Sequence, residues 1–220
     1  MDYEAVIFDC DGVLVDSEAL GLEDSAKYLR SHNLPYTPVD LIRIYTGLRD
    51  DVFARTLAAA YREANNEADP PEDFFQGLID ARRSRSHLLQ PVSGALETLT
   101  GVTGRKAVAS SSRAHYLESK LKRTGLWEAA APHVYSAELV AHGKPAPDIF
   151  LYAAQKLGVA PEKCLVLEDA ENGVKAGVAA GMTVWGFTGG GHCFEGHAER
   201  LKAAGAAWVA PNFPAFLAAL

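Results

Sequence analysis

The chain has 220 residues, 48% of them hydrophobic and 22% charged, which is enough for one sizeable core plus a subdomain and excludes a disordered or fibrous chain. Its formal net charge of -7 argues against a broad surface for nucleic acid or an anionic membrane, since either would need clustered Lys and Arg. Cys10, Cys164 and Cys193 are an odd number without metal-ligand spacing and point to a reducing compartment. No charged-then-apolar leader precedes the first strand, and no apolar run approaches the ~20 residues of a membrane helix. The expectation is a cytoplasmic protein with no membrane and no nucleic-acid partner, a monomer or weak homodimer.

In chain order, the first predicted element is an apolar strand, Ala5–Phe8, running into Asp9-Cys10-Asp11-Gly12. Residues two apart in a strand share a face, so Asp9 and Asp11 are expected to converge while Cys10 turns away as a small buried hydrophobe. Gly12 lets the backbone turn, and the paired acids concentrate negative charge that a hard cation such as Mg²⁺ would relieve. From Ser17 to Gln90 the pattern is helical with no intervening strand: Glu18–Ser31, Pro38–Tyr45, Asp51–Asn65 and Pro71–Leu88. This predicts a helical insertion whose Ala-rich and Arg-rich pieces are amphipathic bundle faces.

Four more apolar runs follow, at Ala107–Ala109, His133–Tyr135, Leu165–Leu167 and Thr183–Gly186. They alternate with helical segments at Ala114–Arg123, Asp148–Leu157 and Ala170–Ala180, for which Gly125, Gly158 and Gly181 are C-terminal stops. The alternation predicts an α/β fold, a doubly wound parallel sheet of Rossmann-like type. Residues 1–16 and 89–220 would form this core and residues 17–88 the all-helical insertion. In such a sheet the loops leaving the strands meet along one edge.

Three of those loops carry candidate chemistry. The second run ends in Ser110-Ser111-Ser112-Arg113, whose hydroxyls and backbone N–H groups open a helix and suit a phosphate, or serve as an ordinary N-cap. After the third run, the prolines of Gly143-Lys144-Pro145-Ala146-Pro147-Asp148 hold Lys144 in a stiff loop, where a lysine can balance an anion. The fourth run stops at Glu168-Asp169, which would stand near Asp9 and Asp11 if the strand ends align. Such a group of like charges repels itself unless a cation is bound.

The ordered set Asp9-x-Asp11-Gly-Val, Ser110, Lys144-Pro-x-Pro-Asp and Glu168-Asp169 resembles the haloacid dehalogenase superfamily, in its β-phosphoglucomutase-like and sugar-phosphatase-like branch. The resemblance runs over essentially the whole chain, including the position of the insertion. It implies that Asp9 is a nucleophile forming an aspartyl-phosphate, and that Asp11 protonates the leaving group and then deprotonates the attacking water. It implies Mg²⁺ held by the Asp9 carboxylate, the Asp11 main-chain carbonyl and Asp169, with Glu168 as a further or supporting ligand. Ser110, Ser111 and Lys144 would bind the phosphoryl group. The insertion would be a cap, with Arg49 in the turn Tyr45-Thr46-Gly47-Leu48-Arg49-Asp50-Asp51 placed to meet a phosphate or sugar group, or else paired with a neighbouring acid.

Gly21 stands where β-phosphoglucomutases and many phosphoglycolate phosphatases carry a cap histidine, which favours hydrolysis over mutase activity. Lys27 is a poor positional match for a Schiff-base lysine. The reading is a Mg²⁺-dependent phosphatase of a small phosphorylated metabolite, sugar phosphates ahead of phosphoglycolate; a phosphomutase and a catalytically silent binding protein are the alternatives. The late segment from Gly189 to His197 holds glycines and three soft or borderline ligands, but neither a recognised zinc spacing nor a Walker lysine. It reads as a flexible loop after the fifth strand.

Overall fold

In the computed structural model, which describes residues 3–45 and 50–220, the expected runs form a parallel sheet. Its strands are β1 (Ala5–Phe8), β2 (Arg105–Ser110), β3 (Val134–Ser136), β4 (Cys164–Glu168), β5 (Thr183–Phe187) and β6 (Trp208–Ala210), in the order β3-β2-β1-β4-β5-β6. The five expected strands are present, β1 with the expected bounds and no end of the others moved by more than two residues. β6 is an addition at the sheet edge, three residues long and too brief to stand out as an apolar run.

β1 and β4 are buried along their whole length, as strands covered on both faces must be. Alternate residues feed two separate cores. Val6 and Phe8 join Val108, Leu165 and Leu167 on one face, against α5 (Ala95–Gly101), α6 (Ala114–Arg123), α7 (Trp127–Ala130) and α11 (Phe213–Ala219). Ala5 and Ile7 join Ala107, Ala109 and Val166 on the other, against α8 (Asp148–Leu157), α9 (Glu171–Ala179) and α10 (His197–Ala203).

Register then decides which strand ends meet. Phe8 lies opposite Val108 of β2 and Leu167 of β4, so the next residues, Asp9 and Glu168, leave the sheet side by side. The chain runs from β1 to β2 on one side and returns to β4 on the other, which makes this edge a topological switch point.

The insertion comprises α1 (Leu22–Arg30), α2 (Pro38–Tyr45), α3 (Asp50–Ala64) and α4 (Phe74–Arg83), with a short 3₁₀ turn at Ser86–Leu88. It has its own core of Ala26, Leu29, Leu34, Leu41, Leu57, Tyr61, Phe74 and Leu78. Two of its helices are shorter than the pattern suggested. Gly21, at φ +73°, delays the first to Leu22, and the last breaks after Arg83 before the 3₁₀ turn. No helix among the described residues is long and apolar enough to cross a membrane.

Candidate active site

Lys144, from the loop after β3, reaches the carboxyl edge of the sheet. Its Nζ lies 2.5 Å from Asp9 Oδ1 and 2.5 Å from Glu168 Oε1, and donates to the Ala109 carbonyl at 3.2 Å. All three side chains are buried. Burial alone would make Lys144 easier to deprotonate, but Asp9 and Glu168 outweigh it and hold the ammonium well above the usual lysine range. Burial likewise pushes Asp9 up to about 8; Lys144 opposes the shift, and Glu168 and Asp11 add to it. Glu168 is raised by burial against Lys144 with Asp169 adding, and Asp169 is raised by burial with His192 opposing. When all three acids are ionised, Lys144 and His192 leave excess negative charge.

That excess fits a hard divalent cation. Asp9, Glu168 and Asp169 each present an oxygen within 4.8 Å of the others'. Asp169 Oδ2 is buried without a hydrogen-bond partner; His192 Nε2 lies 2.8 Å away but out of line for one. Backbone closes tightly over these acids. Gly12 has φ +84°, and a Cβ there would come within 2.1 Å of Asp169 Oδ2. A Cβ on Gly173, near the start of α9, would come within 1.7 Å of Glu168 Oε1. The donor set and its glycine cradle suit Mg²⁺.

Asp11 differs from the expectation of a strand-face pair. β1 ends at Phe8, so Asp9 and Asp11 sit in the turn beyond it, closed by Gly12 N–H donating to the Val15 carbonyl at 2.8 Å. Lys120 Nζ and Ser17 Oγ both donate to Asp11 Oδ1, while Ser112 Oγ donates to Oδ2 at 2.7 Å and Ser110 Oγ at 3.3 Å. Burial would raise this carboxyl, yet the Lys120 charge and the hydrogen bonds from Lys120, Ser17 and Ser112 hold it well below the usual carboxylate range.

The structure therefore brings Asp9, Asp11, Ser110, Lys144, Glu168 and Asp169 to one edge, with Asp11 in a polar niche of its own. Ser111 is half-buried beside Ser110 and takes part in none of these hydrogen bonds. Arg49 lies outside the described residues. Sequence reasoning missed Ser17, Lys120 and His192 as neighbours of the acids. For Lys120 a signal existed: it follows the inward-facing Leu117 by three residues on α6, the spacing of one helix face. Cys10 is buried, as expected.

Comparison with known proteins agrees with this geometry. Residues 3–181 match the family model of haloacid dehalogenase-like hydrolases. The chain is 33% identical over 214 residues to a phosphorylated carbohydrates phosphatase of Thermotoga maritima, covering 95% of both chains. It is 33% identical over 184 residues to a fructose-1-phosphate phosphatase of Escherichia coli, covering 82% of this chain and 94% of that one. Among solved structures, a hydrolase of the same family from Deinococcus radiodurans, with bound phosphate and sodium, superposes with a TM-score of 0.82 at 35% identity, over 99% of this chain and 95% of that one.

Proposed function

The chain belongs to the haloacid dehalogenase-like hydrolases, and on that premise we propose that it is a Mg²⁺-dependent phosphatase of small phosphorylated metabolites, sugar phosphates foremost. The observation that carries this reading is Lys144 buried between Asp9 and Glu168, with Asp169 alongside. The phosphatases of phosphorylated carbohydrates and of fructose 1-phosphate among its relatives support the substrate class.

In this reading an Asp9 carboxylate oxygen attacks phosphorus, the bond to the leaving oxygen breaks, and Asp11, which must enter this step in its protonated form, supplies that oxygen with a proton. Asp11 then takes a proton from water as the water attacks the aspartyl-phosphate, so phosphate leaves and both carboxyl groups return to their starting state. Lys144, Ser110 and Ser111 bind the phosphoryl oxygens, and the Lys144 charge offsets repulsion between nucleophile and phosphate. Mg²⁺ would be held by the Asp9 carboxylate, the Asp11 carbonyl and Asp169, with Glu168 in support; bound there it supplies charge neutralisation. Residues 17–88 act as a cap that excludes water and reads the leaving group, with Arg49 as one of its contacts. Three free cysteines suit a reducing cytoplasm.

Hydrolysis is favoured over mutase chemistry by the backbone at Gly21, where a Cβ would come within 2.1 Å of the Arg82 carbonyl and leave no room for a side chain. The test is phosphate release from a panel of sugar phosphates, phosphoglycolate and an aryl phosphate, with Mg²⁺ or EDTA. Metal-dependent release that falls by at least about a thousandfold in Asp9→Asn is expected. No release from any compound overturns the reading, and a requirement for a sugar bisphosphate replaces it with a phosphomutase.

A further inference from the structure

Beside the acids lies a second ligand cluster of different chemistry. His192, Cys193 and His197, from the segment between β5 and α10, each bring one ligand atom to within 4.8 Å of the others. His192 and His197 are buried and Cys193 is half-buried. The glycines before them fold tightly: Gly191 N–H donates to Asp16 at 2.9 Å, Cys193 N–H donates to the Gly190 carbonyl at 3.2 Å, and a Cβ on Gly190 would come within 2.8 Å of His192 Nδ1. The segment expected to be a flexible loop is thus anchored to the turn after β1.

Three observations fit a metal site. Cys193 Sγ lies 3.7 Å from His192 Nε2, and two ligands at Zn–S of about 2.3 Å and Zn–N of about 2.0–2.1 Å in a tetrahedral centre stand roughly 3.5 Å apart. The Asp169 carbonyl accepts from His197 Nε2 at 2.7 Å, as an outer-shell oxygen orients a metal-binding imidazole through the nitrogen that does not bind the metal. The Nδ1 atoms of both rings are buried and unpartnered, so hydrogen bonding within the fold does not use up either imidazole. A cleft lined by Ile42, Arg43, Asp169, Phe194, His197 and Arg200 borders the cluster at His197.

We propose that His192, Cys193 and His197 bind one thiophilic divalent ion, Zn²⁺ or Co²⁺, in a site separate from the carboxylate site. A thiolate with two imidazoles selects such ions, whereas Mg²⁺ goes to the all-oxygen set, so the two sites do not compete for one metal. The fourth position is left to water. Because Asp169 touches both groups, an ion here alters the setting of a Mg²⁺ ligand; that consequence, inhibition by Zn²⁺, rests on the phosphatase reading, but the binding does not.

The test uses the whole protein with excess Mg²⁺ to fill the carboxylate site. Titration with Co²⁺ is expected to produce a thiolate-to-cobalt charge-transfer absorption that saturates at one equivalent. Cys193→Ser should lose this band while keeping its circular dichroism spectrum. No band in the native protein, or a band that persists in Cys193→Ser, overturns the proposal. A second measurement needs no variant: one equivalent of Zn²⁺ should slow iodoacetamide labelling of Cys193 by about tenfold or more, since the metal holds the thiolate, and EDTA should restore it. Cys10 and Cys164 are fully buried and serve as internal references. Equal labelling with and without Zn²⁺ overturns the site. Neither readout involves turnover, so each stands or falls apart from the phosphatase reading.

Discussion

Asp9 and Asp11 are two residues apart in the chain, yet their surroundings push their proton affinities in opposite directions. Asp9 shares its space with two more acids and one lysine, whereas Asp11 has Lys120 and three hydroxyls to itself. The two groups do not titrate independently, because the Asp11 charge adds to the upward shift that burial gives Asp9; in the metal-free fold Asp9 is the more readily protonated and Asp11 the ionised member, and a cation on Asp9 favours the carboxylate that attacks. Lys120→Met tests the arrangement. A hydrogen bond to a charged group contributes about 1.5–3 kcal/mol, and a loss of that size in unfolding free energy is expected at pH 7. Because Asp11 is depressed in the folded state, this stabilisation is present above the unfolded carboxyl value of about 3.9 and fades as pH falls below it. The deficit of Lys120→Met should therefore shrink in denaturant titrations near pH 3; an equal deficit at both pH values would contradict the assignment. The signal for Lys120 was present in the helical spacing, but an exposed-type residue on a helix gains meaning only once the opposite strand end is known.

At the scale of elements, the register of β1 against β4 does most to assemble the site. Phe8 opposite Leu167 delivers Asp9 and Glu168 together, and Asp9 N–H donates to the Leu167 carbonyl at 2.9 Å. Apolar runs ending in acids were legible in the chain because a strand buried on both faces must be continuously apolar and must stop where charge begins. The turn after β1 works at the same scale. Gly12 holds a left-handed φ directly over Asp169, so Gly12→Ala introduces both backbone strain and a clash with that carboxylate. Changes in the groups that orient ligands typically weaken metal binding about 10- to 100-fold, and calorimetric titration with Mg²⁺ should show a loss in that range for Gly12→Ala. Unchanged affinity would mean that Asp169 does not hold the ion.

For the whole molecule, the buried acids couple folding to pH and to metal. Asp9 is raised to about 8 in the metal-free fold against about 3.9 when unfolded, so between these values the native state holds more protons than the unfolded one. Stability then falls as pH rises. In EDTA, the melting temperature is expected to be higher at pH 6 than at pH 8. Mg²⁺ requires the deprotonated carboxylates, so its stabilising effect should grow over the same interval; its full size is about 2.7 kcal/mol when the ion is at a hundred times its dissociation constant. A melting temperature in EDTA that rises from pH 6 to pH 8 would refute this coupling. The amino-acid sequence by itself determined the α/β class, the helical insertion, the strand-end residues Asp9, Ser110, Glu168 and Asp169 and the loop residue Lys144, because apolar periodicity, the abrupt appearance of charge and the flanking prolines are properties of the chain read locally. Only the tertiary structure decided that Asp11 pairs with Lys120, 109 residues away, and that His192 and His197 converge on Asp169. Such contacts depend on strand register, helix rotation and the path of a glycine-rich segment, which local sequence does not encode.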